Sequence, residues 1–451
     1  MGPESSLEEL ANRIYSSAKV INLYNSQTSH PAKSLAATEP TNLLPEGAPQ
    51  HIRSAKQDLQ EAALRISQLA TDPSEFLGQH AVQFQQLACL RWLCHFNIPS
   101  LIPLDTSIPY ATVAQKAKVP ETQLKSIARM AMTGIFLSEP TPGELGHNST
   151  SAAFITNPTL MDWALFMTEH SAPTTTKIVE ATEKYGTTES KTETAYNVSK
   201  GTDLPYFDWL KRDKEATRQF AGYMKNVTST DATSIKHLVT GFDWGSLGET
   251  TVVDVGGSSG HASLALAESF PRLSFIVQDL PDTLATSKPS TLPAFAADRL
   301  TYQPYDFFTP QPLPSVDVFL LRMIIHDWPF AEAVSILKNL VPSLKKPNGR
   351  IILMDTVLPR PGSVPATQEA QLRVRDLSMM QTFNSKEREM EDWIGLLRAV
   401  DPGLRLKNVV QPFGSSMSVL EIVKGGEGDL EALNGVSGAG LRNGTAEVNG
   451  H

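Results

Sequence analysis

Three side chains in the last third of the sequence have the right types to move a proton together. His326 stands at the end of an apolar run, in LLRMIIHDWPF, residues 320–330. An imidazole ordinarily titrates near pH 6.5, so small changes in its surroundings decide whether it gives or takes a proton near neutrality. Asp355 lies near the end of RIILMDTVL, and Glu387 sits in NSKEREMEDW. If those chain ends meet in one cleft, the carboxylates could fix the tautomer of His326 and steady its imidazolium form. Each residue also has a plainer reading. A histidine beside an apolar strand can be structural, Asp355 can cap a loop, and Glu387 can be a solvated charge in a run of charges. Asp327 can serve as the cap of a helix starting near Pro329 and carrying Val334, Leu337, Val341 and Leu344 on one face.

A second candidate is a glycine loop. TVVDVGGSSGHASLALAESFP reads as a buried strand, then Gly256, Gly257 and Gly260, then a helix bearing Leu264 and Leu266. Glycines there let the chain turn sharply and let a ligand approach the backbone. Asp279, 19 residues after Gly260, ends the next strand, where a carboxylate can accept from both hydroxyls of a ribose. A dinucleotide and an adenosyl sulfonium both fit. The G-x-G-x-x-G spacing that brings a helix N-terminus to a pyrophosphate is missing, and the loop G-G-S-S-G, with Asp254 before it, suits a cofactor without a diphosphate. A tight strand-to-helix turn without a ligand is the alternative.

The elements that would position these residues follow from the apolar pattern. From 251 onward, apolar runs TVVDV, LSFIV, VDVFLLRMII and RIILMDTVL alternate with segments of crossover-helix length. That predicts an α/β domain with a mostly parallel sheet and helices on both faces. His326 then falls at the carboxyl edge, where such sheets bind ligands. Earlier, apolar positions at helical spacing predict two helices between 52 and about 96, followed by a short helix, a turn at Val119-Pro120, a second helix with Leu124, Ile127 and Met130, and a hairpin with Pro and Gly at its tip. This is the outline of a winged helix. Only Lys125 and Arg129 occupy its second helix, so packing or dimerisation is expected rather than DNA binding. Residues 25–50 read as a mobile linker and 425–451, with eight glycines in 27 residues, as a disordered tail. The expected domains are 1–50, an N-terminal helix and linker; 51–185, winged-helix-like; 186–424, the α/β domain; and 425–451, the tail.

Composition narrows the function. With 39 basic and 48 acidic residues the net charge is −9, which disfavours nucleic acid and anionic membranes and favours small or neutral substrates. Cys89 and Cys94 form neither a zinc site nor a disulfide framework, and read as buried fillers. No stretch approaches 18 apolar residues and no leader pattern opens the sequence, so a cytoplasmic protein is expected.

The segments VVDVGGSSGHASLALAESFP, VQDLP, YDFF, LLRMIIHDWP, ILMDTVL and NSKERE, in this order and spacing, resemble S-adenosylmethionine-dependent O-methyltransferases of the caffeate and flavonoid type, in their fungal secondary-metabolite branch. The likeness runs from about residue 60 to 424. It implies a Rossmann-like methyltransferase domain with an N-terminal, mainly helical winged-helix domain that forms a homodimer. It implies S-adenosylmethionine as cofactor, with Gly256 and Gly257 lining it, Asp279 and Leu280 at its ribose, Asp306 and Phe307 at its adenine, and Arg322 and Trp328 also in contact. His326 would be the catalytic base, held by Asp355 and Glu387, although the family more often has glutamate at the position of Asp355. Met224 would face the acceptor, and His170, in FMTEHSAP, could reach the substrate or simply end a helix. No metal is required.

The implied reaction transfers a methyl group to a phenolic or enolic hydroxyl of a small aromatic or polyketide metabolite. A phenol of pKa about 10 and an ordinary imidazole differ by roughly 5 kcal/mol in proton affinity, so deprotonation should accompany attack. Two alternatives stand beside it: a cofactor-binding cyclase or pericyclase that transfers no methyl group, and a non-enzymatic regulatory or DNA-binding dimer.

Overall fold

The structure is a computed structural model that describes residues 6–38, 42–345 and 348–425. The chain forms two compact units, both discontinuous in sequence. Of the described residues, the first holds those up to 177 with 207–226 and 364–369, and the second holds 178–206, those from 227 to 363, and those from 370 to 425. The N-terminal helix shares a unit with the helices after it. Residues 426–451, most of the expected tail, lie outside the described residues.

In the first unit, α1 (Leu7–Gln27) starts at a capping box, in which Ser6 Oγ accepts from the Glu9 amide and Glu9 Oε2 accepts from the Ser6 amide. It packs on α2 (Gln50–Leu69), joined by the Arg13–Asp58 ion pair and by Ser17 Oγ donating to Asp58 at 2.9 Å. Residues 28–38 and 42–49 are mostly irregular but tied down. Asn25 Nδ2 donates to the Leu43 carbonyl at 3.0 Å, and the Ser149 amide to the Leu35 carbonyl at 2.8 Å. After α3 (Phe76–His95) come β1 (Ile108–Pro109), α4 (Tyr110–Ala117), α5 (Glu121–Thr133), β2 (Ser138–Thr141) and β3 (Glu144–Gly146), with the three strands ordered β1-β3-β2. Lys118, at φ +57, ends α4, and Pro120 starts α5. Both basic residues of α5 are engaged inside this unit. Arg129 pairs with Glu139 at 2.8 Å, and the Lys125 ammonium lies 5.7 Å from the centre of the Tyr110 ring.

The second unit is built on seven strands in the order β11-β12-β8-β7-β4-β5-β6. They are β4 (Thr250–Val255), β5 (Leu273–Asp279), β6 (Leu300–Pro304), β7 (Val318–Arg322), β8 (Arg350–Asp355), β11 (Leu404–Val410) and β12 (Ser418–Lys424). Strands β4 to β8 pair in parallel, and β12 and β11 close one side antiparallel. A separate parallel pair joins β9 (Val357–Leu358) to β10 (Arg388–Glu389). Alternate residues of each central strand enter opposite layers. Val253, Phe319, Leu321 and Leu353 pack with helices Phe330–Leu340 and Met390–Val400, whereas Val252, Leu320, Ile352 and Met354 pack with helix His261–Ser269 and Trp244. Burial on both faces explains why these strands read as unbroken apolar runs. β4 has β5 on one side and β7 on the other, so the strand order reverses beside it and opens a crevice at the carboxyl edge. Among the described residues no helix is long and apolar enough to cross a membrane.

Candidate active site

Strand β7 stops at Arg322, three residues earlier than the apolar run suggests. Met323 adopts φ +55 and turns the chain away, and His326 lies on the 3₁₀ turn Ile325–Asp327. The imidazole is buried, and its Nδ1 is 2.9 Å from Glu387 Oε1. An ionised carboxylate only accepts, so Nδ1 carries the proton and Nε2 is the nitrogen left to act as base. Asp327 does not cap the next helix. That helix begins after Pro329 with no side-chain cap bond, and Asp327 Oδ1 instead lies 3.6 Å from His326 Nε2. Asp355 ends β8 fully buried, and neither of its oxygens has a hydrogen-bond partner. Of the expected acidic pair, Glu387 bonds to His326, and Asp355 acts on it through charge alone.

The electrostatics follow from these positions. Burial opposes charging His326, but the negative charges of Glu387, Asp327 and Asp355 outweigh it and hold the imidazole well above its ordinary range. Burial also works against the Glu387 carboxylate, and His326 with Arg375, whose Nε is 3.4 Å away, brings it below the usual value. Burial pushes Asp355 up to about 7; His326 pulls against the shift, while Glu387 and Asp327 add to it.

The crevice residues gather around the ends of β4, β5 and β7. Gly256, at φ +74, and Gly257 follow β4, and both amides donate to the Gln278 carbonyl. Gly256 is required first by its left-handed backbone, and Gly257 by close packing. A Cβ on Gly256 would come 2.5 Å from Ile324 Cδ1, and one on Gly257 2.7 Å from Asp254 Cγ. Asp279 holds the loop from the next strand, accepting from the Ser258 amide at 2.9 Å and the Leu280 amide at 2.8 Å. Leu280 is exposed beside it. Asp306 is exposed and accepts from the Phe308 amide at 3.0 Å. Phe307 and Phe308 both set their rings edge-on to Trp328, at 5.5 and 4.8 Å. Arg322 Nη2 donates to the Thr233 carbonyl at 2.8 Å, while its buried Nε has no hydrogen-bond partner. These groups fit an adenosyl sulfonium, with aromatic faces for a base, a carboxylate for vicinal hydroxyls, and a glycine loop with no diphosphate cradle.

Met224 and His170 belong to the first unit. Met224 is on helix Lys214–Ser229, and His170 is on a π-helical turn, Met167–Ser171. His170 Nε2 is 3.2 Å from Gln219 Oε1, and its ring stacks on Phe166 and meets Trp209 edge-on. Several contributors were missed in the sequence: Asp327, read as a cap; Arg375; Arg388, hidden in the charge run of NSKEREMEDW; and Lys191, whose ammonium lies 4.1 Å from the centre of the Trp328 ring and pairs with Glu332 at 2.6 Å. No local pattern marks Lys191 or Arg375, since their relation to the site exists only after folding.

Residues 184–401 match the O-methyltransferase domain family. The O-methyltransferase VdtC of Byssochlamys spectabilis is 54% identical over 425 residues, covering 93% of this chain and 98% of that protein. The O-methyltransferase pgmB of Aspergillus terreus is 44% identical over 423 residues, covering 93% and 96%. Among solved structures, LepI in complex with SAM superposes with a TM-score of 0.69 at 19% identity, covering 92% of this chain and 100% of that one, a likeness of fold.

Proposed function

This chain belongs to the family of S-adenosylmethionine-dependent O-methyltransferases, and from that membership we propose that it methylates a phenolic or enolic hydroxyl of a small aromatic, polyketide-type metabolite with His326 as general base. The observation that carries the assignment of the base is the 2.9 Å contact between His326 Nδ1 and the buried Glu387 carboxylate, which leaves Nε2 to receive the proton. Bound S-adenosylmethionine supplies an electrophilic methyl group on a positively charged sulfur. Gly256, Gly257, Asp279, Leu280, Asp306, Phe307, Arg322 and Trp328 are assigned to holding it. Glu387 and Asp355 raise the proton affinity of His326, so transfer from a phenol of pKa about 10 is less uphill than to a free imidazole. The same charges increase the protonated fraction at neutral pH, and the rate should therefore climb as pH rises above neutrality.

We assign His170 and Met224 as acceptor contacts. Phe166, Trp209, Phe220 and Tyr223 surround this part of the first unit with rings that suit an aromatic acceptor. A rearrangement without methyl transfer has no use for a proton acceptor tuned in this way, and the named relatives are O-methyltransferases. We further assign a cytoplasmic setting, which suits two free, buried cysteines, and a homodimer formed through exposed apolar helix faces of the first unit.

Purified protein and His326→Ala would be incubated with methyl-labelled cofactor and a panel of phenolic polyketides, scoring product mass. Label transfer that falls by about 10² or more in the variant is expected. Transfer that persists undiminished removes His326 as base, and a substrate isomerised at constant mass replaces the methylation reading altogether.

A further inference from the structure

The turn that carries His326 is strained before it reaches the base. Met323, at φ +55, holds a left-handed conformation that ordinary L-residues disfavour. Such a conformation persists only where the surroundings over-determine it. Here the anchors can be named. The Met323 amide donates to the Met354 carbonyl at 3.0 Å, and Ser385 Oγ to the His326 carbonyl at 2.6 Å. The Arg388 guanidinium spans the turn, with Nη1 donating to the Ile325 carbonyl and Nη2 to the Trp328 carbonyl, each at 2.8 Å.

Arg388 is only 2% exposed, and its guanidinium carbon lies 5.4 Å from the ring centre of Trp393, itself fully buried. Its backbone pairs with Val357 in the β9–β10 ladder, which fixes the position of Glu387 immediately before it. One residue thus meets three demands. Its main chain places the carboxylate that bonds Nδ1, while its side chain holds the carbonyls on either side of His326-Asp327, one of them belonging to Trp328.

We propose that Arg388 is a positioning residue for methyl transfer, whose planar guanidinium locks the 325–328 turn so that His326 and Trp328 are presented together to acceptor and cofactor. This rests on His326 being the base. The plainer role for a buried arginine that feels the charges of Asp355, Glu387 and Asp392 is charge compensation. A lysine would keep that charge, but its single ammonium does not reproduce a rigid two-pronged contact with two carbonyls. The two roles therefore part at Arg388→Lys.

The test uses the full chain and compares wild type, Arg388→Lys, Arg388→Ala and His326→Ala. Methyl-label transfer is measured from pH 6 to 10, and rates are normalised to the fraction that binds S-adenosylhomocysteine by calorimetry. Positioning predicts a kcat for Arg388→Lys lower by about 10²-fold, the scale of a 1 Å misplacement, with the acceptor KM changed only a few-fold. It also predicts that added guanidinium, but not methylammonium, restores Arg388→Ala. A normalised kcat for Arg388→Lys within threefold of wild type overturns the proposal. So does equal rescue by the two cations, or rescue by neither. Unimpaired transfer by His326→Ala removes the base itself and the lock with it, which separates the two failures.

Discussion

Asp355 ends β8 with no exposed surface and no hydrogen-bond partner for either oxygen, so its charge is the least compensated at the site. Burial is the main reason its carboxyl rises to about 7; the His326 cation opposes the rise, and Glu387 and Asp327 add to it. Because the folded value lies above the ordinary 3.8, ionisation weakens the native state. The relative stability is fully present below pH 4 and is lost as pH climbs through about 7. Asp355→Asn cannot ionise, so it should raise the melting temperature at pH 8 and leave it nearly unchanged at pH 4. The gain at pH 8 is bounded by about 4 kcal/mol. The same change removes a negative charge near His326, and should move the rising limb of the pH–rate profile to lower pH while reducing the plateau. Thermal melts at the two pH values, with initial rates across pH 6–10, check both. An equal shift in melting temperature at pH 4 and pH 8 would mean that the carboxyl does not titrate in this window. A gain confined to pH 8 would instead make Asp355 a residue whose charge costs stability and serves the base, a trade common at functional sites.

The turns at the strand ends do more than join elements. Gly256 holds φ +74, and its Cα faces the side chain of Ile324, one residue past the left-handed Met323, so the glycine loop and the His326 turn pack against each other. In Gly256→Ala the clash is with the end of a flexible side chain and can be relieved by rotating Ile324. The left-handed backbone cost of about 1–2 kcal/mol cannot. The expected result is a modest loss of stability together with at least tenfold weaker S-adenosylhomocysteine binding by calorimetry; unchanged affinity would mean that the loop does not line the cofactor. These turns also mark where sequence reasoning stopped. Strands β4, β5, β7 and β8 are legible because burial on both faces leaves continuous apolar runs. The end of β7 is not, because Met323, Ile324 and Ile325 remain apolar while the backbone reverses its handedness, and hydropathy is blind to φ. Asp327 looked like a cap because a helix follows, yet Pro329 starts that helix without one. Glu387 and Arg388 share a charge run in which nothing local separates a buried pair from solvated neighbours; the glutamate was a candidate as a carboxylate for His326, with a solvated charge as its plainer reading, and only the fold reveals the arginine.

At the scale of the whole molecule, the surface of the first unit is hard to reconcile with a lone chain. In α3 every residue from Phe76 to Gln85 is exposed, including Leu77 at 76% and Phe84 at 59%. Nearly three turns of helix carrying Phe76, Leu77, Val82 and Phe84 in water lack the tertiary packing that normally sustains a helix of that length. Tyr15 and Leu23 on α1 are likewise exposed. Large apolar side chains gathered in this way mark an interaction surface, and a two-fold pair is the commonest way for a chain to cover its own face. Light scattering should therefore give a particle near twice the 49.2 kDa chain mass at micromolar concentration. The double substitution Leu77→Asp and Phe84→Asp places charges where apolar contact is needed, and should return the mass to that of one chain. Neither side chain is buried within the unit, so the melting temperature of the separated chain should fall only to the extent that association had raised it, and should become independent of protein concentration. A wild-type mass of one chain from 1 to 100 µM would remove the dimer and leave the exposed half of α3 to a different partner.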